Sequence, residues 1–257
     1  MRGELTMRLQ DKVAIVTGAS RGIGEAIALG YAREGAHVVL AARTEDDLDR
    51  VAGLIRDAGC KALPIVTDVT DEESVKHMVA AAASTFGRID VLVNNAGGGM
   101  WRHVNRTSME TWNWLIGVNL TGPFLCTKHV WDHMIKAGGG AIINIGSTSG
   151  SRAYPLMAAY SASKWGLVGL TKSTSAEGRT LNIRVNCVNP GKVATGFRNT
   201  AKDDEPILEA DEMIGIAIFL ASEDARHVHG QVIEVEHAPE DRVSQRRKER
   251  AAAKSEV

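Results

Sequence analysis

The sequence predicts a single doubly wound α/β domain, a seven-stranded parallel sheet covered by helices on both faces. Three observations carry this expectation. Short apolar runs of strand length alternate with longer helical stretches along the whole chain. The runs lack polar–apolar alternation, as strands buried on both faces do. No repeat or linker interrupts the succession, and strict strand–helix alternation favours parallel pairing through right-handed crossovers.

In chain order, KVAIVT (12–17) is an apolar run that stops at Gly18. HVVLAA (37–42), ALPIVTD (62–68), IDVLVNNAG (89–97), AIINIGS (141–147), IRVNCVNPG (183–191) and QVIEV (231–235) repeat that form. Helical stretches fill the gaps at 23–34, 45–58, 71–86, 108–136, 155–178 and 211–221. The third opens on Thr70 with Glu73 three residues later, the spacing of a capping box. The domain is expected over 1–238, with 1–8 as an N-terminal extension and 239–257 as a charged tail.

Composition narrows the function classes. The 30 basic and 31 acidic residues nearly cancel, so no global field draws nucleic acid or an acidic membrane. The basic cluster RRKER (246–250) reads as part of a solvated tail. No apolar run approaches the roughly 18 residues of a membrane span. Cys60, Cys126 and Cys187 are odd in number and widely spaced. That argues against a disulfide framework and for a reducing, cytoplasmic location. No metal site is expected: His129 and His133 form an i,i+4 pair but lack a third ligand.

TGASRGIGEAIA (17–28) follows the first run and opens the first helix. Gly18 permits a sharp turn, while Gly22 and Gly24 admit close approach of a ligand. The helix start offers free N–H groups and a positive dipole end to a pyrophosphate. Gly18, Ser20, Arg21, Gly22, Ile23 and Gly24 are therefore cofactor-binding candidates. The second run ends LAART, where an acidic residue would serve the ribose of NAD. Ala42 and Arg43 stand there instead. With Arg21 nearby, two guanidinium groups suit a 2′-phosphate, so NADP(H) is expected over NAD(H). Asp68 offers an acceptor to adenine and Val69 a packing surface, while Asn95, Ala96 and Gly97 bring backbone close to the cofactor.

AAYSASKWG (158–166) sets Tyr160 and Lys164 one helical turn apart on one face. Alone, this is either a packed helix stripe or a proton donor with a cation beside it. TGASRGIG, Asp68-Val69, NNAG at 94–97, Asn119, Ser147, Tyr160-x-x-x-Lys164 and Pro190-Gly191 decide between them. In that order and spacing, from about Leu9 to Val235, the chain resembles the short-chain dehydrogenase/reductases of the 3-oxoacyl-(acyl-carrier-protein) reductase-like type.

The resemblance implies a Rossmann fold and reversible hydride transfer between NAD(P)H and a carbonyl carbon. It implies Asn119, Ser147, Tyr160 and Lys164 as the catalytic set, with Asn119 holding a relay water. Tyr160 and Lys164 would also contact the cofactor. The chemistry is coherent. A phenol of ordinary pKa near 10 is a poor acid at neutral pH, and a fixed ammonium lowers that pKa. Ser147 would donate a hydrogen bond to the substrate oxygen. Pro190, Gly191, Val193 and Thr195 would meet the nicotinamide end. The expected substrate is a small carbonyl compound or alcohol, and the expected assembly a homo-oligomer, tetramer or dimer. Trp101, just after NNAGGG, is a candidate substrate contact.

Two departures from the family pattern stand out. The segment between Thr195 and Asp211 is short, polar and broken by Pro206, so an open or mobile cover is expected. After the last strand the chain reads EHAPED, where the family has a glycine-rich turn, which puts subunit contacts there in doubt. Two other function classes remain open on sequence: an NADPH-binding sensor with little turnover, and a nucleic-acid-associated protein using the tail.

Overall fold

The computed structural model describes residues 7–195 and 208–236. Its sheet has seven parallel strands in the order β3-β2-β1-β4-β5-β6-β9. They are β1 (Val13–Thr17), β2 (His37–Ala42), β3 (Ala62–Val66), β4 (Val91–Asn94), β5 (Gly140–Ile145), β6 (Ile183–Pro190) and β9 (Val232–Val235). The helices are α1 (Gly22–Arg33), α2 (Glu45–Asp57), α3 (Glu72–Phe86), α4 (Met109–Ile116), α5 (Gly122–Lys136), α6 (Ala158–Gly178) and α7 (Ile214–Ala221). The chain runs outward from β1 to β3 and then returns to pair β4 with β1. That reversal opens a crevice at the C-terminal strand ends, where open α/β sheets bind ligands.

β1 explains why the apolar runs do not alternate. Ala14 and Val16 pack into one core cluster with Ile27, Tyr31 and Leu48 of α1 and α2 and Leu220 of α7. Val13 and Ile15 pack into a second with Met78 of α3 and Val130 of α5. The period of two survives as a choice of helix layer, not as a choice between core and water.

Several expectations are corrected in detail. The stretch 108–136 is not one regular helix: a π-helical turn, Gly117–Thr121, separates α4 from α5. Pro123 has no N–H for the Asn119 carbonyl four residues back, and Gly122 N–H bonds instead to the Gly117 carbonyl. Helix α3 is capped by Asp71, not Thr70. Asp71 Oδ1 accepts from Glu73 N at 3.1 Å, while Thr70 turns its N–H and hydroxyl to Asp68 Oδ1 at 2.9 and 2.7 Å. A carboxylate is the stronger acceptor for free helix-end N–H groups.

Helix α6 begins at Ala158 rather than at Pro155, because Leu156 takes a left-handed φ of 67°. Helix α7 begins at Ile214, after a 3₁₀ turn over Ala210–Met213 in which Glu209 N–H donates to Glu212 Oε2 at 2.8 Å. A two-stranded parallel pair, β7 (Val193–Ala194) with β8 (Leu208–Glu209), was not expected. The open cover expected over 196–210 falls mostly on residues 196–207, outside the described residues. So do 1–6 and the tail at 239–257.

Candidate active site

The glycine turn between β1 and α1 has the geometry its sequence implies. Gly18 and Gly22 have φ of 65° and 59°, where side chains are strained. A Cβ on Gly24 would lie 2.2 Å from the Gly18 carbonyl oxygen. The α1 N-cap, Arg21, is extended and makes no side-chain cap, so its side chain leaves the first N–H groups to other acceptors. This is a cradle that side chains would fill, and it suits a diphosphate.

Neighbouring loops lock the turn in place. Thr17 Oγ1 donates to the Val93 carbonyl and accepts from Asn95 N and Ala96 N, both at 3.0 Å. Asn95 Nδ2 donates to the carbonyls of Thr17 and Gly18 at 2.9 and 3.2 Å. The Asn95 side chain is thus spent on bracing β1 against the loop after β4, while Ala96 and Gly97 carry that loop onward. Arg50 on α2 pairs with Glu25 at 2.8 Å and reaches the Ser20 carbonyl at 3.2 Å. Sequence reading missed this brace and that of Thr17, since both depend on which elements pack together.

In the loop after β3, Val69 is buried and Asp68 exposed. Partial burial alone would raise the Asp68 pKa. Its bonds from Thr70, with Arg43 nearby, outweigh that and hold the carboxyl below its usual range. Arg43 therefore lies within electrostatic reach of Asp68. Ile23 packs on the main core, and the Gly22 Cα faces Thr195: a Cβ there would meet Thr195 Cγ2 at 3.0 Å. Val193 sits in β7 and also packs on the core. Pro190 closes β6 opposite Val235, and Gly191 N–H donates to the Val235 carbonyl at 2.9 Å.

The four expected catalytic residues converge at the ends of β4, β5 and β6. Lys164 is 5% exposed and donates to the Ile145 carbonyl at 2.9 Å, with its ammonium 5.8 Å from the Tyr160 ring centre. Burial lowers its pKa to about 8. It therefore remains mostly charged at neutral pH. Ser147 Oγ accepts from Ser149 N at 3.2 Å, which leaves its own proton to donate. Asn119 clamps the loop after β4: Nδ2 donates to the Gly98 carbonyl at 2.8 Å and Oδ1 accepts from Gly98 N at 3.0 Å. A Cβ on Gly97 would lie 2.9 Å from Asn119 Oδ1 and 3.8 Å from Lys164 Nζ, so that loop runs directly over the cluster.

Trp101 stacks on Tyr160, with ring centres 6.4 Å apart and planes at 30°. Met100, Leu115, Met157 and Ala159 complete an apolar wall around them. Arg102 N–H ties this wall to the Leu156 carbonyl at 2.8 Å.

The family model for short chain dehydrogenases matches residues 12–206. The chain is a short-chain dehydrogenase. It is 38% identical over 241 residues to the 3-oxoacyl-[acyl-carrier-protein] reductase FabG of Thermotoga maritima, covering 90% of this chain and 98% of that one. It is 40% identical over 238 residues to the cis-4-hydroxycyclohexanecarboxylate dehydrogenase of Sinomonas cyclohexanicum, covering 88% and 95%. A solved structure assigned to an NAD(P)-dependent gluconate 5-dehydrogenase of Beutenbergia cavernae, with NADP at low occupancy, superposes with a TM-score of 0.85. That pair is 36% identical over 90% of this chain and 97% of the other. The short-chain dehydrogenase is accordingly a hydride-transferring oxidoreductase acting on alcohols or ketones, and its seven-stranded sheet is that family's.

In the short-chain dehydrogenase the end of β9 is held by ion pairs. Here Arg152, five residues past Ser147, forks onto Glu236 at 2.9 and 2.8 Å and also pairs with Glu234. Both glutamates thus tie the end of β9 to the loop between Ser147 and Tyr160.

Proposed function

We propose that the protein is an NADP(H)-dependent reductase of small carbonyl compounds, or dehydrogenase of the matching secondary alcohols, with 3-oxoacyl thioesters among the candidate substrates. One observation carries the reading: a buried lysine beside Tyr160, and Ser147 with a free proton to donate, border the same crevice as the uncapped glycine turn.

The bound nicotinamide would supply or accept the hydride. The protein's part is binding, orientation and proton handling. Gly18, Gly22 and Gly24 leave room for the diphosphate, and the α1 N-terminus favours its charge. Arg21 and Arg43 would hold the 2′-phosphate, with Ala42 offering no carboxylate to oppose it. Asp68 and Val69 would border the adenine, and Pro190, Gly191, Val193 and Thr195 the nicotinamide. Ser147 and Tyr160 would donate to the substrate oxygen as negative charge grows on it. The Lys164 ammonium stabilises a phenolate once Tyr160 has given up its proton. Asn119 holds the loop over Lys164 in place.

The homologues named above support a carbonyl or alcohol substrate, and the NADP in the gluconate dehydrogenase structure supports the cofactor. A homo-oligomer is supported by large apolar side chains exposed along α4 to α6: Trp112, Trp114, Phe124 and Trp165. Among the described residues no helix is long and apolar enough to cross a membrane. Three free cysteines accord with a reducing, cytoplasmic setting.

The test is turnover of ketones, ketoesters and oxoacyl thioesters with NADPH and with NADH. Expected is NADPH oxidation, with the NADPH preference falling in Ala42→Asp/Arg43→Ala. A folded protein that binds NADPH and turns over none of the panel would favour a sensor. An unchanged cofactor ratio in the double variant would misplace the phosphate site.

A further inference from the structure

We infer that Asn189 is a positioning residue for the reaction, holding Ser147 in its working orientation through the serine's backbone. The inference rests on the dehydrogenase reading above. Asn189 is fully buried, one residue before the end of β6. Its Oδ1 accepts from Ser147 N at 3.1 Å and from Cys187 Sγ at 3.3 Å. Ser147 N–H can only donate, so the amide oxygen must face it, and the orientation of the amide follows.

The contact stands where the sheet ladder stops. β5 pairs with β6 up to Ile145 opposite Val188, and Gly146 N still donates to the Val188 carbonyl at 2.7 Å. At the next step the Asn189 side chain supplies the acceptor. A Cβ on residue 146 would lie 2.0 Å from Asn189 Oδ1 and 2.9 Å from Cys187 Sγ, so glycine is what lets the amide reach Ser147. Burial pushes the Cys187 thiol up to about 11, which keeps its proton available to the same oxygen.

The arrangement costs stability. Asn189 Nδ2 is buried with no hydrogen-bond partner among the described residues. An apolar side chain of similar volume would remove that orphaned donor but leave Ser147 N–H unpaired in its place, so the two effects on stability oppose each other. What the asparagine provides in return is a fixed backbone for the serine whose hydroxyl must meet the substrate oxygen. A displacement of about 1 Å at such a group can cost about 100-fold in rate.

The test is a double-mutant cycle in the full-length protein, Asn189→Leu with Ser147→Ala, read by kcat and by cofactor KM. Expected for Asn189→Leu alone is a kcat loss of about 10- to 100-fold, with cofactor KM and Tm little changed. Expected in the Ser147→Ala background is no more than about a twofold further loss, because the two residues act as one unit. Wild-type kcat in Asn189→Leu, or an equal loss in both backgrounds, overturns the inference. Should Asn189→Leu fail to fold, Asn189→Ser runs the same cycle. Amide hydrogen exchange at Ser147 gives a readout free of turnover: it should quicken at least about tenfold in the variant, and unchanged protection overturns the inference. A wild-type protein without turnover, or Ser147→Ala at full rate, would defeat the dehydrogenase reading, while the exchange measurement still decides on Asn189.

Discussion

The Lys164 ammonium sits 5.8 Å from the centre of the Tyr160 ring while bonded to the Ile145 carbonyl at 2.9 Å. Burial brings its pKa down from 10.5 to about 8. Between those two values the unfolded chain holds a proton that the folded protein has shed. Stability therefore rises with pH across that window, and below it the buried charge exerts its full cost. We predict that wild type gains about 1 to 2 kcal/mol relative to Lys164→Met between pH 8 and pH 9.5. Urea unfolding of both proteins across that range measures it; parallel pH profiles would contradict the assignment. At pH 7 the methionine variant should be the more stable of the two and inactive.

Tyr160→Phe keeps the ring that stacks on Trp101 and removes only the hydroxyl. Cofactor affinity and Tm should stay close to wild type. Turnover should fall about 100- to 10,000-fold, the usual contribution of a positioned acid–base group. Fluorescence titration with NADPH and steady-state kinetics separate the two effects. Near-normal rates would take Tyr160 out of the chemistry.

Arg184 shows how a charge is buried here with no carboxylate bonded to it among the described residues. It is 8% exposed, and its guanidinium donates to the carbonyls of Leu220, Ser222 and Ala225 at 2.7 to 3.2 Å. These carbonyls lie in and just past the last turn of α7, where helical partners run out. Arg184→Met keeps most of the volume and removes the donors. We predict a loss of about 3 kcal/mol, a Tm lower by about 6–12 °C for a chain of this size. Calorimetry decides, and a drop under about 2 °C would mean water replaces the guanidinium without cost.

The glycine turn, the Tyr160–Lys164 pair and the succession of seven strands were legible because their signals are local: a missing side chain, an i,i+4 spacing, an apolar run. Asn189 was not. Its bond to Ser147 joins positions 42 apart in sequence and depends on the register of β5 against β6. The brace from Arg50 to Ser20 likewise needs α2 packed beside the glycine turn. The π turn around Asn119 has a local sign in Pro123, but the helical pattern continues on both sides of it, and only the geometry shows where the hydrogen-bond register slips. The cap of α3 was misread by one residue because Thr70 and Asp71 are both capping residue types. Only the geometry shows Thr70 spent on Asp68.

Two glycines separate a functional need from a tolerated cost. At Gly24 a Cβ would come within 2.2 Å of the Gly18 carbonyl oxygen and 2.4 Å of Asn95 Nδ2, atoms of the braced turn itself. Gly24→Ala should force that turn apart and weaken NADPH binding at least about tenfold, since 1.4 kcal/mol of misfit already suffices. Gly53 lies inside α2 with nothing within 4 Å of its would-be Cβ, and its φ is ordinary. There alanine removes backbone freedom from the unfolded chain without strain. Gly53→Ala should stabilise by about 0.4–1 kcal/mol, raise Tm by about 1–4 °C and leave kinetics untouched. Cofactor titration and thermal melts of the two variants test the contrast. Wild-type NADPH affinity in Gly24→Ala would show that the turn yields, and that the diphosphate does not depend on its shape.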